Sequence, residues 1–79
     1  MRQIELTGLI QQEGEEFVSC CVELDIASQG ATVEEAVQNL EEAVGLFFET
    51  ASKTEIQRRL GNQHKAVVTK FSAPVPTFA

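Results

Sequence analysis

The feature that most constrains the fold is a long amphipathic helix pattern that begins at Thr32. Thr32 and Glu35 have the T-x-x-E spacing of a capping box, in which each side chain bonds the other residue's backbone amide. Apolar residues then recur at spacings of three and four over about five turns, as in a helix buried on one face, at positions 33, 36, 37, 40, 43, 44, 47 and 51. Phe48 broadens this stripe, and Gly45 indicates close packing inside it.

Three segments before this helix have the patterns of strands. Residues 2–12 alternate between apolar and polar side chains, as a half-buried strand does. After a polar turn at 12–15, residues 16–22 are almost continuously apolar, which predicts a better covered strand. A very short third strand or an extended link is expected at 28–31, where Gly30 is expected to supply an unusual backbone angle.

The pattern after the long helix predicts a short helix and a last strand. Thr54 is a candidate N-cap for a helix that runs to Leu60 and ends at Gly61. Residues 65–72 alternate and predict a strand. Residues 73–78 are rich in proline, so they should be extended, at a sheet edge or reaching a neighbouring subunit, where Phe78 is a candidate anchor.

These elements predict one α+β domain over residues 1–79, in the order β-β-β-α-(α)-β. A single antiparallel sheet of three to four strands should pack one face against the long helix. A chain of 79 residues buries only about 60% of its unfolded surface. The other sheet face or an edge is therefore expected to serve self-association, as in a homo-oligomer, or partner docking.

The charge balance points to a protein partner. The chain has twelve acidic and six basic residues, with a formal net charge of −6. Phosphate contacts need clustered lysine and arginine, so direct nucleic-acid binding by this chain is not expected. An acidic chain suits a basic partner protein, although acidity also serves simply to keep a domain soluble.

The sequence carries no targeting or membrane signal. No apolar run of signal-peptide length follows Arg2, and no segment approaches the about 20 apolar residues of a membrane span, so the cytoplasm is the expected compartment. Cys20 and Cys21 are adjacent, which does not suit a disulfide between them or a metal motif. We interpret them as small structural residues.

The carboxylates after the second strand are the strongest candidates for chemistry. Glu23 and Asp25 follow that strand, and Glu34 and Glu35 lie nearby at the start of the helix. Acid–base catalysis or magnesium binding would need such a cluster, but a solvated acidic turn is favoured. The only histidine, His64, has no evident nucleophile beside it, so we expect no enzyme activity, no cofactor and no metal.

The stretch 17–46 resembles the HicB-like antitoxin family, with the likeness extending over roughly residues 4–51. The matching residues are Glu23-Leu24-Asp25, Gln29-Gly30, Thr32, Glu35-Ala36, Asn39-Leu40 and Glu42-Ala43. The resemblance implies a truncated ribonuclease-H-like α+β fold. It also implies oligomerisation and neutralisation of HicA, a small basic toxin that cleaves mRNA.

The chain departs from the family pattern at three places. Val22 stands where the family usually has proline, and Ala31 stands where it usually has aspartate. Many members carry a C-terminal DNA-binding domain, and residues 52–79 are too short and too poor in basic residues for a helix-turn-helix. We therefore expect this chain to lack that domain, which puts autoregulation by this chain alone in doubt.

The leading functional prediction is a HicB-like antitoxin, or a binding module derived from one, that covers a small basic HicA-like toxin. The expected partner contacts are acidic: Glu23, Asp25, Glu34 and Glu41. A second hypothesis is a stand-alone oligomeric protein of the same fold with a structural or small-ligand-binding role. The third and weakest is an enzyme built on the same fold, since fold analogy alone does not establish chemistry.

Overall fold

The computed structural model describes residues 3–61 and 67–77, and within them the chain forms three strands and two helices. In chain order these are β1 (Gly8–Glu13), β2 (Glu16–Cys21), β3 (Ile26–Gly30), α1 (Val33–Thr50) and α2 (Lys53–Leu60). The predicted α+β class is confirmed, with an antiparallel three-stranded sheet followed by one long and one short helix. Within these residues, neither helix is long enough and apolar enough to cross a membrane.

The sheet is a simple meander in the order β1-β2-β3. A two-residue turn joins β1 to β2, and Gly14 in that turn adopts a φ of 63°, a left-handed value that glycine tolerates best. The register pairs Ile10 with Ser19 and Ser19 with Ser28, so these three side chains lie on one face. This face is the one covered by α1, because the Ser19 hydroxyl donates to the Ala36 carbonyl at 2.9 Å.

Helix α1 begins at the N-cap that the capping box predicts, Thr32. The Thr32 hydroxyl oxygen accepts a hydrogen bond from the Glu35 amide at 3.0 Å. The Glu35 carboxylate reaches back to the amide of Ala31 at 3.0 Å, one residue earlier than the usual partner. Ala36 and Leu40 are buried on the inner face of the helix, so the 3-and-4 spacing identified the core side correctly.

The core lies at the end of the sheet where β2 turns into β3. Leu24, in that turn, is fully buried and packs with Cys21 and Leu40. Arg59 of α2 donates a hydrogen bond to the Leu24 carbonyl, and its guanidinium lies 5.2 Å from the centre of the Phe47 ring. Helix α2 therefore closes the core from the end, through a polar contact and a cation–π contact.

Several element boundaries differ from the sequence-based predictions. Strand β1 begins at Gly8 and not at residue 2, because Cys21, its partner, is the last residue of β2. Strand β3 is longer than expected and begins at Ile26. Helix α2 is capped by Ser52, whose hydroxyl accepts from the Glu55 amide at 3.0 Å, so the assignment of Thr54 as the N-cap was wrong.

Two glycines do not have the roles predicted for them. Gly30 has no left-handed φ; instead, a Cβ there would lie 2.6 Å from the Ala36 nitrogen, so the close approach of α1 requires glycine. Gly45 is exposed, and a Cβ there would have nothing within 4 Å, so the predicted close packing at Gly45 was wrong.

The predicted last strand is not formed in the part of it that is described. Residues 67–72 have no regular secondary structure, and 65–66 lie outside the described residues. Residues 67–77, here called the arm, are exposed throughout. A strand needs a neighbour for its backbone hydrogen bonds, and the arm has none among residues 3–61 and 67–77. Phe78, the candidate anchor, also lies outside the described residues.

Candidate functional site

An open groove of about 730 Å³ lies between α1 and the first part of the chain. Its sides are mainly apolar, and we define it by Leu6, Gly8 and Ile10 on one side and Val37, Val44 and Phe48 on the other. Glu41 and Glu49 of α1 also line it and give it an acidic rim. The groove thus combines apolar walls with negative charge at one border.

The groove exists because α1 is not centred on the sheet. The helix packs mainly on β3 and β2 and only lightly on β1. Strand β1 is consequently the least covered strand, with only Ile10 partly buried. The apolar stripe of α1 is wider than the sheet area beneath it, so Val37 stays 37% exposed.

The outer side of α1 is acidic. Glu34, Glu41, Glu42 and Glu49 are all exposed. Glu34 and Glu41 are seven residues apart and therefore lie on the same side of the helix. Within residues 3–61 and 67–77, side-chain ion pairs are found only at Glu55, so these four carboxylates have no basic partner among the described side chains. We call this set the acidic stripe.

The predicted contact residues do not form a single cluster. Glu34 and Glu41 lie together on the acidic stripe. Asp25 is exposed in the turn between β2 and β3, with a left-handed φ of 54°. Glu23 is half-buried and bonded within the chain. The role of these four residues in binding a partner stays a prediction.

Glu23 has a structural role. Its carboxylate accepts hydrogen bonds from the Thr7 amide at 2.8 Å and the Thr7 hydroxyl at 2.7 Å. Partial burial disfavours the charged form, but the two bonds from Thr7 outweigh that effect and lower the pKa of Glu23 below its ordinary value. The pair fastens residues 3–7 to the turn after β2, which keeps one side of the groove in place.

The two arginines of α2 pair with a glutamate of the same helix. Arg59 donates to the Glu55 carboxylate at 2.9 Å, and Arg58 also pairs with it. The hydrogen bond from Arg59 is the main cause of a lowered pKa at Glu55. Arg59 contacts Leu24 and Phe47 as well, so its charge serves the packing of α2.

The two cysteines lie on opposite faces of the sheet. Cys21 is in the core, where burial raises the pKa of its thiol, while Cys20 is half-buried on the face away from α1. Both are free thiols. In the described ranges, no group of three or more histidine, cysteine, aspartate or glutamate side chains is placed to hold a metal ion. His64 lies outside those ranges.

Sequence reasoning identified the acidic stripe in outline but missed the groove. The available signal was the width of the apolar stripe, which Val37, Val44 and Phe48 extend toward the acidic side. A three-stranded sheet is too narrow for such a stripe when the helix lies over β2 and β3. The position of the helix could not be read from the pattern.

No protein-family model, curated protein or solved structure matches this chain. The HicB-like resemblance of residues 17–46 accordingly stays a prediction from the residues that carry it.

Proposed function

We propose that the protein is a non-catalytic, cytoplasmic binding module of the HicB-like antitoxin type, which neutralises a small basic toxin that cleaves mRNA. The observation that carries the proposal is the acidic stripe, with four exposed carboxylates on one 18-residue helix and no basic partner among the described side chains. The resemblance of residues 17–46 to the HicB-like family supplies the class of partner.

The proposed mechanism is steric and electrostatic. A toxin that binds RNA must present a basic surface to the phosphates. The acidic stripe would attract that surface and speed encounter, because opposite charges steer association. Once bound, α1 would cover the residues that contact RNA. This mechanism requires neither a metal nor a reactive side chain from this chain.

The test is co-purification of the tagged protein from its native host, with bound proteins identified by mass spectrometry. The double variant Glu34→Lys/Glu41→Lys should lose a small basic protein that the wild type retains. The matched control is Glu15→Lys/Glu16→Lys, which makes the same charge change at exposed residues of the β1–β2 hairpin. The purified complex should also cleave RNA more slowly than the released toxin.

Three results would count against the antitoxin proposal. The first is a wild-type protein that retains no basic partner. The second is equal loss of the partner in both double variants, which would show that the net charge of the protein matters and the position of the carboxylates does not. The third is a bound basic protein without RNA-cleaving activity.

The alternative is a stand-alone oligomeric protein of the same fold with a structural or ligand-binding role. The groove favours it, because its volume of about 730 Å³ and its apolar walls are typical of sites for small molecules. Native mass spectrometry of protein purified from the host would show a bound small molecule as a discrete added mass. Its absence, together with a retained basic toxin, would favour the antitoxin.

A further inference from the structure

Two surfaces of the chain are apolar and uncovered, and they complement each other. In the arm, Val67, Val68, Phe71 and Val75 are 64–87% exposed. In the body, residues 3–61, the groove lies open beside β1. Since the arm side chains are exposed and the groove is open, the arm does not fill the groove of its own chain. We propose that the arm of one copy binds in the groove of a second copy, and that two copies exchange arms reciprocally.

The charges of the two surfaces are opposite. All twelve acidic residues lie within residues 1–61, whereas residues 62–79 contain two lysines and no acidic residue. The groove carries Glu41 and Glu49 at its border, whereas the arm carries Lys70 and no acidic side chain, so the arm meets no like charge there. Complementary charge favours this pairing over contact between two acidic bodies.

The lengths also agree. The wall of the groove from Val37 to Glu49 extends about 18 Å along α1. Residues 67–72 in extended conformation span about 17 Å. The segment with the alternating pattern of a strand therefore has the length of the groove.

Strand β1 offers a backbone partner at the same place. It is at the edge of the sheet, so its outer side is free to pair with an added strand. An arm paired with β1 would form the fourth strand that the sequence predicts. Its alternate side chains would point to opposite faces, with Phe71 in the groove and Val68 beside Leu9, which is 41% exposed.

Reciprocal exchange gives a closed assembly. Each copy would supply one arm and one groove, so the two contacts are equivalent by a twofold axis and no arm is left over. This arrangement buries the arm residues without any other partner, and it does not depend on toxin binding.

The first test is the mass of the full chain in solution, measured by light scattering over a dilution series. We expect a dimer that dissociates on dilution. Phe71→Ser should raise its dissociation constant about tenfold or more, as for loss of a central aromatic anchor. Val37→Lys should do the same from the groove side. The matched control Leu46→Lys, on the opposite side of α1 and 59% exposed, should leave the dimer intact.

Mixing the two defective variants separates arm exchange from other modes of dimerisation. The arm of Val37→Lys and the groove of Phe71→Ser are both intact, so a heterodimer keeps one of its two contacts. At a concentration where neither variant dimerises alone, a mixture should therefore form a heterodimer. Phe71→Ser changes an 87% exposed side chain, so its monomer should keep the circular dichroism spectrum of the wild type.

A wild-type protein that stays monomeric at every concentration would overturn the proposal. So would a dimer unaffected by Phe71→Ser, or a mixture that remains monomeric. A cross-link formed by benzoylphenylalanine at position 71 should join an isotopically labelled copy to an unlabelled one at residues of the groove. Cross-links confined to one copy would show that the arm folds back on its own chain, which contradicts exchange.

Discussion

The body and the arm differ in what covers their apolar side chains. In the body, Leu24 is fully buried and Leu40 is 7% exposed, whereas Phe71 in the arm is 87% exposed. Both segments contain strand-like alternation. Strands β1 and β2 are joined by a two-residue turn, which places them side by side for pairing. The arm follows α2 and has no partner strand within the described chain. An alternating pattern therefore forms a strand only where another strand is close enough to pair with it.

The largest expected contrast between covered and uncovered positions concerns leucines on α1. Leu40→Ala should lower the free energy of unfolding by about 2–5 kcal/mol, because it leaves a cavity beside Leu24. Leu46→Ala, at a side chain that is 59% exposed, should change it by less than about 0.5 kcal/mol. Val68→Ala in the arm should also have little effect on the monomer. Urea unfolding at low protein concentration measures all three, and equal losses at positions 40 and 46 would contradict the assigned core.

A second contrast concerns two glycines. Gly30→Ala should destabilise the protein by about 1–3 kcal/mol, because the new Cβ would press on the backbone of α1 at Ala36. Gly45→Ala should stabilise it by up to about 1 kcal/mol, since the methyl group meets nothing and alanine favours the helix. Thermal unfolding of the two variants should shift in opposite directions. A stabilising Gly30→Ala would refute the close approach of α1 to β3.

Residues 3–7 are the part of the body that most resembles the arm, because they lie outside a strand. Unlike the arm, they are fastened to the sheet, through the bonds between Thr7 and Glu23. Glu23→Gln should cost about 1 kcal/mol at neutral pH through weaker bonds with Thr7. The pKa of Glu23 is lowered in the folded state, so its contribution is present above the unfolded-state pKa and is lost as the pH falls through the folded-state pKa.

The difference in stability between wild type and Glu23→Gln should accordingly shrink on acidification. Denaturant unfolding over a series of acidic pH values measures this difference. Glu15→Gln, at an exposed turn residue without a Thr7 contact, provides the control for the substitution itself. A Glu23→Gln difference that is constant with pH would contradict the role of the ionised carboxylate.

The smallest expected effect is at the start of α2, the last element before the arm. Ser52→Ala should cost about 0.5–1 kcal/mol, because Ser52 caps the helix through the Glu55 amide. Thr54→Ala, at an exposed position inside the first turn, should cost less. Hydrogen exchange of the α2 amides measures both. A larger effect at Thr54 than at Ser52 would support Thr54 as the N-cap, as predicted from the sequence.

Much of the fold was predictable because it depends on short-range interactions. The N-cap at Thr32, the 3-and-4 spacing of α1 and the β1–β2 turn each depend on residues a few positions apart, and each is confirmed. The other half of the capping box was wrong, because Glu35 bonds the amide of Ala31 and not that of Thr32. The α2 cap was missed by two residues, since Ser52 and Thr54 are both capable caps. The acidic stripe was partly predicted through Glu34 and Glu41, because an amphipathic pattern also identifies the outer side of a helix.

The sequence by itself determined the class of the fold, the order of its first elements and the acidic outer side of α1. The tertiary structure decided the position of α1 over β2 and β3, and with it the groove beside β1, the close contact at Gly30 and the bonding of Glu23 to Thr7. Local patterns show which apolar side chains favour burial. Which of them become buried depends on the elements that pack beside them, and that packing joins parts of the chain that are far apart in sequence.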